Sequence, residues 1–384
     1  MRYCPDALVS PAFLRGMDDG VVSGNERAIL RRIWQAPDIS RRELTAQVDL
    51  TQQSVHRILD TLSGRGILCF GAPKPGLGSG QPSPMLRLNG DYAWSLGISL
   101  NSDVIDLCLL DLAGTVLAQD SFALDGRPMD ACLTEVERIL DVRRKALRLD
   151  PARMFGIGFA IAGFHLGGTR FNATLPLQEW SLIELGPILS HRFGVPVWSF
   201  NGGKAGAVAE AMFGVGRQHR HFAYLSFNYG FGGGLICDGE LLEGGNGNAG
   251  EFSQMFDEEE VRRRPALQLL METLKRNGVD VPTIAAMREG FDPAWPGLAD
   301  WVDEVTPAYR RLINAIWAVY DPQAIVFGGE VPPELAKLLI DRTRLFGASR
   351  YGAPRPNPAL IVSNIGAEAA AMGAAVKPFK RCFY

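Results

Sequence analysis

Between Ser23 and Gly66 the apolar residues recur at helical spacing in three short bursts, each opened by a hydroxyl side chain. The first burst places Ile29, Leu30, Ile33 and Trp34 behind Ser23-Gly24-Asn25-Glu26, a Ser and Glu three apart as in a capping box. Pro37-Asp38 ends it, and Ser40-Arg41-Arg42-Glu43 repeats the box ahead of Leu44 and Val48. Thr51 then caps a third helix whose Val55, Ile58, Leu59 and Leu62 face inward, with Gly64 and Gly66 as its stop. Ile67 to Phe70 and Met85 to Leu88 read as strands flanking a turn-rich stretch. Three helices and a two-stranded ribbon predict a winged helix-turn-helix over residues 1–90. Its tip, Lys74 to Pro82, suits either a wing or a flexible linker.

From Trp94 the pattern changes to strands. Trp94 to Leu100, Val104 to Leu112 and Thr115 to Leu124 form one meander, with Ala113-Gly114 as a tight turn. Ala223 to Asn228, Gly234 to Cys237 and Leu241-Leu242 form a second. Helical stretches follow each set: Met129 to Leu149 after the first, Pro265 to Asn277 and Trp301 to Val319 after the second. The repeat predicts two α/β lobes, at about 91–200 and 201–384, with a ligand-sized cleft between them. Met1 to Gly20 gives no clear element, so the tail is expected either to be disordered or to pack on the front module.

Charge separates the two parts. Residues 23–89 hold nine basic side chains against five acids, while the whole chain has a net charge of −3. Nucleic-acid affinity therefore belongs at the front. In a helix-turn-helix the first turn of the last helix enters the major groove, and here it offers Thr51, Gln52, Gln53, Ser54, His56 and Arg57, with Arg41 and Arg42 on the helix before it. Glutamine amides can pair with adenine edges, and arginine with guanine or phosphate. Any three-helix bundle also has a polar outer face, and His56 fits a solvated position as well as a DNA contact. Cys4, Cys69, Cys108, Cys132, Cys237 and Cys382 are scattered with no CxxC pair, which fits a reducing compartment and argues against a disulfide framework. Met154 to Gly168 is too short and glycine-rich to cross a membrane, so it reads as a buried strand and turn in a cytoplasmic protein.

Several segments resemble the ROK family (repressor, open reading frame, kinase). In front these are Ser23-Gly24-Asn25, Ile39 to Leu44 and Thr51 to Leu62; behind, Gly156 to Gly163, Val195 to Asn201, Ala205 to Gly214, Gly244 to Glu251 and Asp321 to Gly329. The resemblance implies an actin-like, sugar-kinase-like domain behind the winged helix. It implies a double-stranded DNA operator and a sugar or sugar derivative as partners, and a homodimer or homotetramer.

Four departures from the family's kinases stand out. Their first phosphate turn is matched by Ser99-Leu100-Asn101-Ser102-Asp103, which has no glycine and adds an acid. The second survives as Gly230 to Gly234, including Gly232 and Gly233, but behind Tyr229; these glycines suit a strand turn as readily as a ligand. The Asp that follows the sugar-site Asn, and acts as the base, is here Gly202. No Cys or His follows Glu251 where zinc-bearing members place their ligands, so no metal and no cofactor is expected. What the resemblance leaves for a polyhydroxylated ligand is Asn201, Glu251, Gln254 and Gln268. The expectation is a sugar-responsive DNA-binding regulator, a repressor of carbohydrate genes without kinase activity; its rival is a residual kinase with another base.

Overall fold

The computed structural model describes residues 2–3, 21–71, 84–347, 349 and 351–384. A two-residue strand, β1 (Arg2–Tyr3), precedes the front module, which comprises α1 (Gly24–Gln35), β2 (Ile39–Ser40), α2 (Arg41–Gln47), α3 (Gln52–Gly64), β3 (Leu68–Gly71) and β4 (Met85–Leu88). Both predicted capping boxes form, with Ser23 and Ser40 accepting from the third helical N–H and Glu26 and Glu43 returning the bond. Thr51 accepts from the Ser54 N–H at 3.2 Å. These bonds satisfy helix-start donors that would otherwise need water. Ile29, Leu30, Leu44, Val55, Leu59 and Leu62 close a core beneath a three-stranded sheet of order β2-β4-β3. The wing tip, 74–82, lies outside the described residues.

The larger part opens with β5 (Trp94–Leu100), β6 (Val104–Asp111) and β7 (Val116–Ala123), an antiparallel meander. After α4 (Met129–Ala146) come β8 (Met154–Ile161), the hairpin β9 (Gly163–Gly167) and β10 (Arg170–Ala173), α5 (Leu185–Phe193) and β11 (Val197–Asn201). The second lobe runs α6 (Gly202–Phe213), β12 (Phe222–Phe227), β13 (Phe231–Cys237), β14 (Glu240–Leu241), α7 (Leu267–Arg276), α8 (Ile284–Gly290), α9 (Leu298–Tyr320), β15 (Ala324–Gly329), α10 (Pro333–Arg342) and β16 (Ala359–Val362), before α11 (Ala369–Cys382). The first sheet has the order β7-β6-β5-β8-β11 and the second β14-β13-β12-β15-β16, so the predicted repeat is a shared topology. In each, an antiparallel meander is followed by two parallel strands. The inner strands β5 and β8 are buried at every position, as strands covered on both faces must be.

Two expectations are corrected. The described residues of the tail, Arg2–Tyr3, join the edge of the first sheet rather than the front module, antiparallel to Val197 and Trp198; residues 4–20 lie outside the described residues. Nor does the second lobe keep everything after residue 201. Helix α11 returns to the first sheet, where a Cβ at Gly97 would stand 2.0 Å from the Ala371 carbonyl oxygen and one at Gly158 only 1.8 Å from that of Ala374. It packs equally closely on α6, because a Cβ at Gly373 would meet the Ala205 carbonyl oxygen at 1.8 Å. Helices α6 and α11 thus form a central seam between the lobes.

The front module sits on the end of that seam. Trp34 of α1 lies 5.9 Å from the Phe213 ring and 5.7 Å from Tyr384. Arg27 donates to the Arg381 carbonyl at 2.9 Å, and Arg31 meets Glu240 at 3.4 Å. The module's core is continuous with Phe379, Phe383 and Tyr384.

Candidate functional site

The outer face of the front module presents the residues the sequence singled out. Arg42, Thr51, Gln52, Gln53 and Arg57 are exposed; Ser54 and His56 are half-buried. Thr51 and Ser54 are bonded to each other in the cap, so their hydroxyls position the first turn of α3. Arg41 turns inward, 3.8 Å from Asp60 and over the Phe70 ring, which ties α2 to α3 and the wing. Arg42, Gln52, Gln53 and Arg57 remain exposed on this face. On the other side of the module, Arg87 forks onto Asp38 and fastens β4 to the turn after α1.

Beneath this module, where the lobes meet, lies a cavity of about 610 Å³, within the size range of small-ligand sites. Its lining includes Asn201, Lys204, Glu243, Lys377, Ser199 and His165. Asn201 caps α6 by accepting from the Lys204 N–H at 3.1 Å and donates to the Gly163 carbonyl at 2.7 Å, so its amide is committed to holding the cavity wall. The loop that follows β14 closes the opposite side. Asn248 exchanges two 2.9 Å bonds with the His165 backbone, and the His165 ring lies 3.2 Å from the Asn246 carbonyl oxygen.

The electrostatics of this cavity are unusual. Lys204 is only 2% exposed, and its ammonium donates to the carbonyls of Gly247 (2.6 Å) and Glu243 (3.2 Å). Burial lowers its pKa, against the pull of Glu251 and Glu243. Burial also raises the Glu251 carboxyl to about 7, with Lys204 opposing, and its Oε1 is enclosed without a hydrogen-bond partner. Across the cavity Lys377 bonds Glu243 at 2.9 Å and lies over the Phe200 ring; Arg381 reaches the same carboxylate oxygen at 2.7 Å. Burial works to raise Glu243, but these two cations outweigh it and hold the carboxyl at about 2. Lys377 is lowered to about 8 by the same burial.

The remaining residues expected at a ligand divide. Glu251 stands beside Lys204, but Gln254 is exposed one turn later. Gly233 is filled space, since a Cβ there would meet the Tyr224 carbonyl oxygen at 2.0 Å, whereas Gly232 faces open space. Gln268 is not with them. It bonds Glu272 at 2.8 Å along α7 and lines a separate recess of about 780 Å³ bordered by Arg262, Arg263, Arg264, Lys275 and Arg276. The segment standing in for the family's zinc loop folds as a short turn at Glu260–Arg263, which carries α7 around to that side. Lys377 and Glu243 were missed in the sequence because their pairing spans 134 residues. The available signal was a lysine directly after the small-residue run Ala369 to Val376.

At the other end of the cleft, the stretch matched to the first phosphate turn is acidic and enclosed. Asp103 accepts the Ile284 N–H of α8 at 3.3 Å, and Asn101 donates to Asp106 at 3.1 Å. Burial pushes Asp106 up to about 7 and Glu330 to about 8, each raised further by neighbouring carboxylates and opposed by Arg288. Among the described residues no group of His, Cys, Asp and Glu is arranged to hold a metal ion, and no helix is long and apolar enough to cross a membrane.

Comparison with known proteins agrees with this architecture. The ROK family profile matches residues 95–260, and a winged helix-turn-helix DNA-binding profile matches 23–68. A protein named putative xylose repressor from Caldicellulosiruptor sp. (strain Rt8B.4) is 27% identical over 80% of this chain and 83% of its own. A solved ROK family transcriptional regulator, described as a homologue of the E. coli MLC protein, superposes with a TM-score of 0.67 at 20% identity, covering 93% of this chain and 96% of its own. A ROK family glucokinase from Streptomyces griseus, solved with glucose and AMPPNP, superposes with a TM-score of 0.60 at 19% identity, covering 74% of this chain and 98% of its own. The glucokinase match gives the larger domain its sugar-kinase-like fold. The protein joins a winged helix-turn-helix DNA-binding domain to a domain of the ROK family.

Proposed function

We propose that the protein is a DNA-binding transcriptional regulator, a repressor of carbohydrate genes, whose response to a sugar or sugar derivative is read at the cavity between the lobes. One observation carries this reading: the helix-turn-helix is seated at the end of α11, with Arg27 on the Arg381 carbonyl and Trp34 on Tyr384 just beyond the helix, and α11 also lines the cavity with Lys377. A ligand there acts on the element that positions the DNA-reading head. It can shift the head only by its difference in affinity for two arrangements.

Phosphoryl transfer is poorly supported by the same cleft. Gly202 offers no carboxylate where a sugar hydroxyl would need its proton removed. Asp103, Asp106 and Glu330 crowd acidic side chains where nucleotide phosphates would lie, and phosphate charge there would disfavour their ionisation further. Soluble, cytoplasmic operation on an operator, as a dimer or tetramer, follows from this reading and from the two-fold symmetry of most such sites.

The test is capture of genomic fragments by the purified protein, followed by gel shifts with and without sugars. Sharp palindromic sites beside sugar-uptake or catabolic genes, released by a sugar, are the expected result. Diffuse binding that disappears with salt, together with turnover of ATP and a hexose that Asn201→Ala blocks, would reverse the reading.

A further inference from the structure

We infer that the cavity between the lobes takes a ligand bearing a carboxylate, a sugar acid in preference to a neutral sugar; this rests on the proposed regulator reading. The argument begins with charge. Two buried lysines, Lys204 and Lys377, line the cavity at 2% and 6% exposure, and Glu243 is the single carboxylate in its lining. Arg381 draws on that same carboxylate, so Glu243 is shared between two cations and cannot neutralise both. Glu251, whose charge acts on Lys204, forms no ion pair with it, and burial favours its protonated form. Two buried lysines thus face one buried carboxylate in a place shielded from water, where burial lowers both pKa values and an added anion would favour the charged forms.

Hydrogen-bond capacity points the same way. A lysine ammonium has three donors, and Lys204 spends two on the Glu243 and Gly247 carbonyls. Ser199 borders the same cavity at 6% exposure, with its Oγ enclosed and without a partner. Buried hydroxyls are rarely left unbonded. A free ammonium N–H complements a carboxylate, which only accepts. The geometry already holds one such pairing in the Glu243 carboxylate on Lys377, so the walls accommodate that group's shape and charge. Sugar hydroxyls would then meet the backbone edges of Gly244–Gly247 and the His165 hairpin.

A ligand carboxylate would also compete for Lys377 and weaken its hold on Glu243. Glu243 and Glu240 anchor the three cations Lys377, Lys380 and Arg381 of α11, and Arg27 and Arg31 of the head bond into that group. Occupancy and head seating are thereby coupled through side chains in direct contact.

The experiment is calorimetric titration of the full-length protein with D-glucuronate and D-xylonate against D-glucose and D-xylose, at low and moderate salt. Each acid is expected to bind at least about tenfold more tightly than its neutral counterpart, the value of one well-placed charge contact. Lys377→Gln should erase that preference and Lys377→Arg should keep it, which separates lost charge from lost folding. Glu243→Gln, which removes the internal competitor, should tighten acid binding. Equal or tighter binding of the neutral sugars, or a preference that survives Lys377→Gln, overturns the inference and leaves the regulator reading standing. Tighter binding of glucose 6-phosphate than of either acid assigns the cations to phosphate and overturns the carboxylate. Absence of operator binding by the unliganded protein would instead defeat the regulator reading.

Discussion

Trp34→Ala should uncouple the DNA-reading head from the body. Trp34 is half-buried between Phe213, at 5.9 Å, and Tyr384, at 5.7 Å, and a Cβ at Gly114 would lie 3.1 Å from its indole nitrogen. Truncating a core tryptophan costs about 3–5 kcal/mol, and each aromatic pair contributes about 0.5–1.5 kcal/mol of that. Partial exposure puts Trp34 at the lower end, about 3 kcal/mol. The head's core is continuous with α11, so the parent protein should melt as one unit. For 384 residues the unfolding entropy then makes 3 kcal/mol worth about 4 °C in Tm. Scanning calorimetry should show one transition in the parent and, in the variant, a separate early transition for the head. Gel shifts should show DNA binding retained and the sugar response lost. A variant that melts as one unit within about 1 °C of the parent, with its response intact, would refute the proposed seat.

Three further outcomes follow from named contacts. Arg57→Ala should weaken operator binding about tenfold while leaving ligand-induced melting shifts unchanged, and competition gel shifts check it. Gly158→Ala should cost at least about 3 kcal/mol in urea titration, because the added methyl would stand 1.8 Å from a backbone oxygen of α11 that no rotamer change can move. The third outcome concerns pH. Asp106 and Glu330 titrate near 7 and 8 in the folded chain, above their unfolded values near 4. Their contribution is fully present below the unfolded pKa and is lost as pH rises through 7 to 8. Melting temperature should therefore fall between about pH 4 and 8 and level off above, and Glu330→Gln should flatten that fall and melt above the parent at the alkaline end. Asp103, Asp106 and Glu368 repel Glu330, and Arg288 alone opposes them; a steeper fall in the variant would contradict this balance.

The parts of this molecule legible in its sequence are those governed by short range. Capping boxes at Ser23 and Ser40 need only a four-residue window, and the meanders from Trp94 and Phe222 show their period within a few residues. Two-residue strands such as Arg2–Tyr3 and Ile39–Ser40 have no period to detect and exist only through partners elsewhere in the chain. Gln268 lies on α7, beyond the turn at Glu260–Arg263, and tertiary packing puts it at a separate recess rather than at the cavity. The ion group around Glu243 was invisible for a different reason. Its members lie on β14's loop, α11 and α1, and only tertiary packing brings them together.

The closeness of the head's seat to the cavity has an evolutionary reading. Lys377 and Arg381 are four residues apart on α11, so the cavity and the contact with α1 are separated by little more than a helical turn, about 5.4 Å. A new operator specificity need only preserve the fit of α1 to that last turn, and a new ligand specificity need only preserve the turn before it. Each end can then drift while the other is held by selection. Such an arrangement lets one body be recombined with many heads, as a socket accepts different tools.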